Sequence, residues 1–371
     1  MKRDPYKHKE RFEKWIVSVE KCKSVYGMGE INTKLFLSFI QDLRVGLNVS
    51  KSSKKGERSF IRLNTIRGKL AFVIKAIEDR GISDIRKVKA ENLHTLFSDM
   101  RSGKVCTRLG TPYKSTGDYV KDFKTFWHWY QKVTKKENRV IPDVTEDLDT
   151  RGEKPKFVYF SQKDFEKVLS EASCDLKPIV ALAFDCGARV TELLNIKVSD
   201  FSDDFKELNI RDEVSKTFGR RIKLMLCTDQ IKDFLKKFEL NRNDFVYQMN
   251  LVKINKELRE IAKKVFSSEQ IKCKNLSLKD FRHSSACFWL PRYKSESALK
   301  YRFGWKKSDM IHYYTEFLGM KDTIKEDDMY IDITKTELEK EVEKMRNDLE
   351  TLKSSINKLI LVAEERKIIQ N

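Results

Sequence analysis

The sequence predicts a mainly α-helical protein with a small β-sheet, arranged as two domains followed by a coiled-coil helix. Three observations point that way. Only 6 Pro and 14 Gly interrupt 371 residues, so long helices are permitted along most of the chain. Apolar residues recur at spacings of three and four in the front half and again near the end. One stretch, "LNIRDEVSKTFGRRIKLML", instead contains two strand-like runs around a turn near Phe218 and Gly219. A chain of this length can bury two sizeable cores.

Residues 1–140 read as a basic helical domain. In "SFIRLNTIRGKLAFVIKAIEDRG", Ile66, Leu70, Val73 and Ile77 share one face, with Arg67, Lys75 and Asp79 expected on the other and Arg62 free to point either way. "GDYVKDFKTFWHWYQKV" repeats the pattern with Tyr119, Phe123, Phe126, Trp127 and Tyr130, an aromatic stripe expected to be core rather than a base-stacking platform. The loop "NVSKSSKKGERS" is polar and basic, suited to phosphate contacts and equally to solvation. Residues 141–157 carry a proline, an acidic cluster and a glycine without apolar periodicity, and read as a linker. A mixed α/β domain follows over 158–330, opened by Ser161 as an N-cap.

The tail, 335–366, is different. Leu338, Val342, Met345, Leu349, Leu352, Ile356, Leu359 and Ala363 keep an unbroken alternation of four and three, and Thr336 with Glu339 forms a capping box at its start. A coiled coil that self-associates is the expectation, against a single amphipathic helix lying on its own domain.

Composition narrows the function. Net charge is +19, and its excess is uneven: residues 1–155 hold 34 Lys and Arg against 20 Asp and Glu, a balance of +14, while 156–371 hold 41 against 36, a balance of +5. A basic module concentrated in one half points to a polyanion, and double-stranded DNA is the expected partner. Membrane is not, because no apolar run of about 18 residues and no basic amphipathic segment stands out. The start, "MKRDPYKHKERFEKW", lacks an apolar signal core, so a cytoplasmic, DNA-associated protein is expected. Seven scattered cysteines and five scattered histidines form no metal-ligand spacing, and no P-loop pattern occurs, so neither metal nor other cofactor is expected.

Four clusters in the second domain can do chemistry. "FDCGARVTELL" places Arg189 behind a glycine, with Glu192 one helical turn on. The hairpin carries Lys216 at its turn. "LSLKDFRHSSACF" lets Ser277 cap a helix whose first turns carry Lys279 and Arg282 at i and i+3, an anion-binding arrangement. "FGWKKSDMIHYYTEF" holds Trp305 and two adjacent tyrosines. Each signal alone is weak, since an amphipathic helix start, a solvated lysine and a packed Tyr–Tyr pair are ordinary features.

Their order, however, resembles the tyrosine recombinase (phage integrase) family, whose pattern is Arg, Lys, His-x-x-Arg, His or Trp, and a nucleophilic Tyr. The resemblance covers most of the chain: a core-binding domain, a linker and a catalytic domain. In that family the nucleophile follows the His/Trp position by nine residues, which from Trp305 implies Tyr314 and leaves Tyr313 as its packing neighbour. The resemblance implies a 3′-phosphotyrosyl intermediate formed without metal or ATP. Arg189 and Arg282 would grip the non-bridging oxygens, Lys216 would act as general acid, and Trp305 would offer its indole N–H. Glu192 and His283 would support them. One departure is plain: Lys279 replaces the usual histidine, as in integrases of certain archaeal viruses, and a lysine near pKa ~10.4 suits a phosphate clamp better than a base. Lys51, Lys54, Lys55, Arg58, Arg62 and Arg67 are the candidate DNA contacts. Recombination implies a homo-oligomer on DNA, a tetramer in synapsis. Two other functions stay open at this point: relaxation by a type IB topoisomerase, and a non-catalytic architectural role.

Overall fold

The computed structural model describes residues 3–49, 56–107, 109–152, 159–248, 250–266, 276–293, 295–318 and 341–356. They fall into two compact units, Met1–Ile311 and His312–Asn371.

Within the first unit the buried apolar residues form two separate cores. The first core is built from α1 (His8–Cys22), α2 (Glu30–Val45), α3 (Phe60–Glu78), α4 (Ala90–Ser102) and α5 (Thr116–Lys136). Helix α3 starts where the Ser59 hydroxyl accepts from the Arg62 amide at 3.4 Å, satisfying one orphan donor of the first turn. Its predicted stripe of Ile66, Leu70, Val73 and Ile77 is fully buried. The buried surface is broader than that stripe, because α3 packs on all four other helices. Arg67 is drawn in with it: the residue is 8% exposed, its Nε donates to Asn64 Oδ1 at 2.9 Å and its Nη1 to the Tyr26 hydroxyl at 3.1 Å. Its guanidinium lies 4.6 Å from the Trp15 ring centroid. The expectation that Arg67 faces outward is therefore corrected.

The aromatic stripe of α5 is core. Phe123, Phe126, Trp127 and Tyr130 are buried, Tyr119 is half-buried, and the Trp127 and Trp129 indoles donate to Pro142 O at 3.1 Å and Asp42 Oδ2 at 2.8 Å. The Trp127 bond ties the following segment down. Pro142, Ile141 and Asp143 lie along α5 through Trp127, Gln131 and His128, and Thr145 and Leu148 are buried. The described part of the stretch read as a linker is thus a strap on α5, held by hydrogen bonds that apolar periodicity does not register.

The second core surrounds α7 (Lys177–Cys186), every residue of which after Lys177 is buried. Around it lie α6 (Gln162–Glu171), α8 (Val190–Leu193), α9 (Thr228–Lys237), α10 (Leu251–Val265), α11 (Leu278–Trp289) and α12 (Glu296–Phe303). Ser161 caps α6 as expected, its hydroxyl accepting from the Asp164 amide at 3.2 Å. The sheet is an antiparallel pair, β1 (Glu207–Ile210) and β2 (Arg220–Lys223), registered Leu208 to Ile222 and Ile210 to Arg220. The connection, residues 211–219, is longer than the tight turn expected at Phe218 and Gly219. Strand alternation carries a consequence here: the inward positions of β2 are Ile222 and Arg220, so an arginine enters the core.

Arg3 reaches this second half. Its carbonyl accepts from Asn195 Nδ2 at 3.0 Å, its Nη1 donates to Tyr247 O at 2.9 Å, and its guanidinium stacks 3.6 Å from the Phe245 ring centroid.

Helix α13 (Asp309–Leu318) runs from the end of the first unit into the second, and residues 341–356 form a further helix, α14. The tail's predicted capping box, Thr336 and Glu339, lies outside the described residues.

Candidate active site

The geometry is set by how α12 ends. Gly304 adopts the left-handed conformation (φ 59), its N–H donating to Tyr301 O at 3.1 Å, and the Trp305 N–H donates to Lys300 O at 2.9 Å. That closes two of the last carbonyls of the helix. The next three, in succession, each receive a guanidinium. Arg220 Nε donates to Arg302 O at 2.8 Å, Arg282 Nη2 to Phe303 O at 2.7 Å, and Arg189 Nη2 to Gly304 O at 3.1 Å. Unpaired carbonyls and the negative end of the helix dipole favour cations there. Three arginines from a helix cap, a strand and a helix are thus gathered at one helix end.

Each arginine is braced from a second side. Arg189 is the N-cap of α8; its amide donates to Glu192 Oε2 at 2.8 Å and its Nη1 to Glu192 Oε1 at 3.1 Å. Arg282, on α11, donates through Nη1 to Gly187 O at 2.6 Å. Gly187 itself has φ 58, and a Cβ there would run into the Phe303 ring and approach Ser285 Oγ at 2.8 Å, so the bend between α7 and Arg189 requires glycine. The residue that carries the first of these carbonyls is also fixed: Arg302 is 3% exposed, pairs with buried Asp185 at 2.9 Å, and lies 4.0 Å from the Trp289 ring centroid.

Glu192 is the anion at the centre of this group. It is fully buried and accepts from Arg189, from Arg220 Nη2 at 3.0 Å and Nη1 at 3.3 Å, and from Ser215 Oγ at 3.1 Å. Burial pushes its carboxyl up, but the hydrogen bonds and charge of Arg220, together with Arg189, outweigh it and hold the pKa at about 2. Glu192 is therefore a permanent anion that orients arginines.

The remaining expected residues of the second half differ in exposure. Lys216 is exposed on the β1–β2 connection, and its neighbour Thr217 donates through Oγ1 to Gly304 O at 3.0 Å, which anchors that loop at the helix end. Lys279 is exposed on the first turn of α11, which begins where the Ser277 amide donates to Asp280 Oδ2 at 2.9 Å. Trp305 is 8% exposed and stacks on Phe303 at 4.7 Å. Burial, then the charges of Lys279 and Arg282, lower the His283 pKa to about 4, so this imidazole is neutral at pH 7.

Tyr313 and Tyr314 belong to the second unit. Their rings are 5.4 Å apart at 62°; Tyr314 is 1% exposed and Tyr313 half-buried. Of the candidate DNA contacts, Arg58 is half-buried, Arg62 pairs with buried Asp122 at 2.7 Å, and Lys51, Lys54 and Lys55 lie outside the described residues. Arg67 is committed to the core, as described above.

Arg220, Ser215 and Thr217 are the residues that motif reasoning passed over. A signal for Arg220 existed: counting back two from apolar Ile222 places it on the inward face of the strand. Among the described residues no cluster of three His, Cys, Asp or Glu side chains is placed to hold a metal ion, and no helix is long and apolar enough to cross a membrane.

Residues 156–319 match the phage integrase family. The fold is similar to that of a lambda integrase dimer bound to a COC′ core site, with TM-score 0.57 and 15% identity over 79% of this chain and 79% of that one. It is also similar to the Tn1549 transposon integrase in complex with transposon right end DNA, with TM-score 0.54 and 14% identity over 80% of this chain and 96% of that one. A lambda integrase tetramer bound to a Holliday junction matches at TM-score 0.52 and 15% identity, over 74% of this chain and 77% of that one. A comparison with curated proteins finds no match.

Proposed function

Residues 156–319 belong to the phage integrase family of tyrosine recombinases, and on that premise we propose that the chain is a site-specific DNA recombinase acting through a 3′-phosphotyrosyl intermediate at Tyr314. The observation that carries the reading is the convergence of Arg189 and Arg282 on adjacent carbonyls at the end of α12. Two guanidiniums held from both sides can receive one phosphodiester without reorganising when charge develops on it.

In this mechanism the Tyr314 phenolic oxygen attacks phosphorus, and the bond to the 5′-oxygen breaks. A neutral phenol near pKa ~10 is a weak nucleophile, so the reading assigns to the active-site cations the task of favouring its phenolate. Arg189 and Arg282 neutralise the charge growing on the non-bridging oxygens, a task for which the reading invokes no metal. Lys216, exposed on a loop anchored by Thr217, protonates the leaving 5′-oxygen, which departs as a 5′-hydroxyl. Lys279, at the start of α11, clamps phosphate. Trp305 packs on Phe303 and offers its N–H to a phosphate oxygen. Neutral His283 and anionic Glu192 support these groups without transferring protons. Resealing reverses the attack with a new 5′-hydroxyl, and the conserved bond energy removes any need for a nucleotide.

The basic first half supplies sequence-blind phosphate contacts through Arg58 and the lysines at 51, 54 and 55, so affinity falls steeply with salt. Strand exchange requires several copies on paired sites, and a tetramer in synapsis is the proposed assembly. The lambda integrase tetramer on a Holliday junction supports that reading by its similar fold.

A nicked suicide DNA substrate resolved on a denaturing gel tests the nucleophile. The wild type and Tyr313→Phe are expected to form a covalent protein–DNA product, and Tyr314→Phe to form none. A product that survives in Tyr314→Phe and vanishes in Tyr313→Phe overturns the assignment.

A further inference from the structure

All sixteen residues of α14, 341–356, are exposed, including five large apolar side chains: Val342, Met345, Leu349, Leu352 and Ile356. Each of the five is between 38% and 59% exposed. Their spacing of three and four places them in one stripe along the helix, with no other apolar residue on its remaining faces. A stripe of this kind, left open to water, marks an interaction surface.

We propose that the occupant is the same helix of a second copy, packed parallel and in register as a two-stranded coiled coil. The side chains beside the stripe select this arrangement. With Val342, Leu349 and Ile356 at the a positions and Met345 and Leu352 at d, the g positions hold Glu341 and Asp348, and the e positions hold Arg346 and Lys353. In a parallel pair each g residue faces the e residue five positions further along the partner helix. Glu341 then meets Arg346 of the second copy and Asp348 meets its Lys353, and symmetry repeats both pairs on the other flank. All four contacts join opposite charges.

The antiparallel alternative fails on the same residues. There g faces g and e faces e, so Glu341 and Asp348 oppose acids while Arg346 and Lys353 oppose bases. Strand number follows from the seam. Two of the three a positions are β-branched and one d position is Leu, the combination that favours two strands over three or four. The sequence repeat itself runs from Leu338 to Ala363, more than the three heptads that argue for a coiled coil. A parallel pair closes on itself through a two-fold axis, so the tail makes dimers and cannot by itself propagate a ring or a filament. This inference does not depend on the strand-transfer reading, because it concerns association without DNA.

Sedimentation equilibrium of the full chain without DNA, at about 0.1 M salt where charge pairs are only partly screened, tests it. The wild type is expected to be a dimer. Arg346→Glu with Lys353→Glu turns all four contacts into repulsions and should weaken the dimer roughly thirtyfold or more. Adding Glu341→Lys and Asp348→Lys to that variant restores opposite charges at the same net charge as the wild type, and should restore the dimer. In an antiparallel pair the first variant only exchanges one set of like-charge contacts for another, so it would bind as tightly as the wild type. A monomeric or higher-order wild type, an undiminished double variant, or a fourfold variant that stays dissociated overturns the proposal. Covalent product on a single-site suicide substrate, run with the same variants, reports separately on the strand-transfer reading.

Discussion

Replacing Arg220 by Met probes the ion cluster most directly, since the apolar stem remains and only the guanidinium is lost. The variant removes two hydrogen bonds to Glu192, at 3.0 and 3.3 Å, and one to Arg302 O at 2.8 Å. Glu192 stays fully buried with Arg189 and Ser215 as its remaining named partners. Two estimates of the cost agree. Lowering a carboxyl from 4.5 to about 2 corresponds to about 3 kcal/mol of preference for the charged form. Removing one partner of a buried ion pair typically costs about 3 to 5 kcal/mol. We expect a loss of about 3 kcal/mol in urea unfolding at pH 7. The pH dependence carries the sign. Because the folded pKa is depressed, the contribution is whole above about pH 4.5 and is lost as pH falls toward about 2. The difference between wild type and variant should therefore shrink on acidification. Combining Glu192→Gln with Arg220→Met should recover part of the loss, as no uncompensated charge remains. Cleavage should slow with little change in DNA affinity, since the Glu192 that braces Arg189 loses its own partner. A cost under about 1 kcal/mol at pH 7, or a difference that stays flat down to pH 3, refutes the reasoning.

Two further substitutions separate scaffold from contact. Gly304→Ala forces a Cβ onto a left-handed residue, 2.9 Å from Arg220 Nη1 and 3.0 Å from Thr217 Oγ1; we expect about 1 to 3 kcal/mol of destabilisation by thermal unfolding and a larger fall in cleavage rate than in DNA binding. Arg67→Ala removes a guanidinium packed on Trp15 and bonded to Tyr26, so unfolding should show a loss of about 1 to 3 kcal/mol while the salt slope of DNA binding stays that of the wild type. A reduced slope with unchanged stability would return Arg67 to the DNA surface.

Local chemistry was legible along the chain. The stripe of α3, the aromatic seam of α5, the Ser161 cap and the open stripe of α14 all follow from 3.6-residue periodicity and backbone hydrogen bonding, which act over a turn or two. The family pattern also marked Arg189, Arg282, Lys216 and Trp305 as a group. One expectation failed where a neighbour far along the chain decided the outcome. Arg67 lies on the side of α3 that an isolated amphipathic helix would leave wet, but Trp15 and Tyr26 cover it. The segment after α5 has no apolar rhythm, yet indole and amide donors strap it in place.

Sequence alone determined the mainly helical architecture with its small sheet, the basic bias of the first half and the family pattern. Only the tertiary structure decided that three arginines, separated by as much as 93 positions, would share the last carbonyls of one short helix. Helix ends leave acceptors without partners, and which cation reaches them depends on packing between distant segments. Periodicity carries no record of that packing.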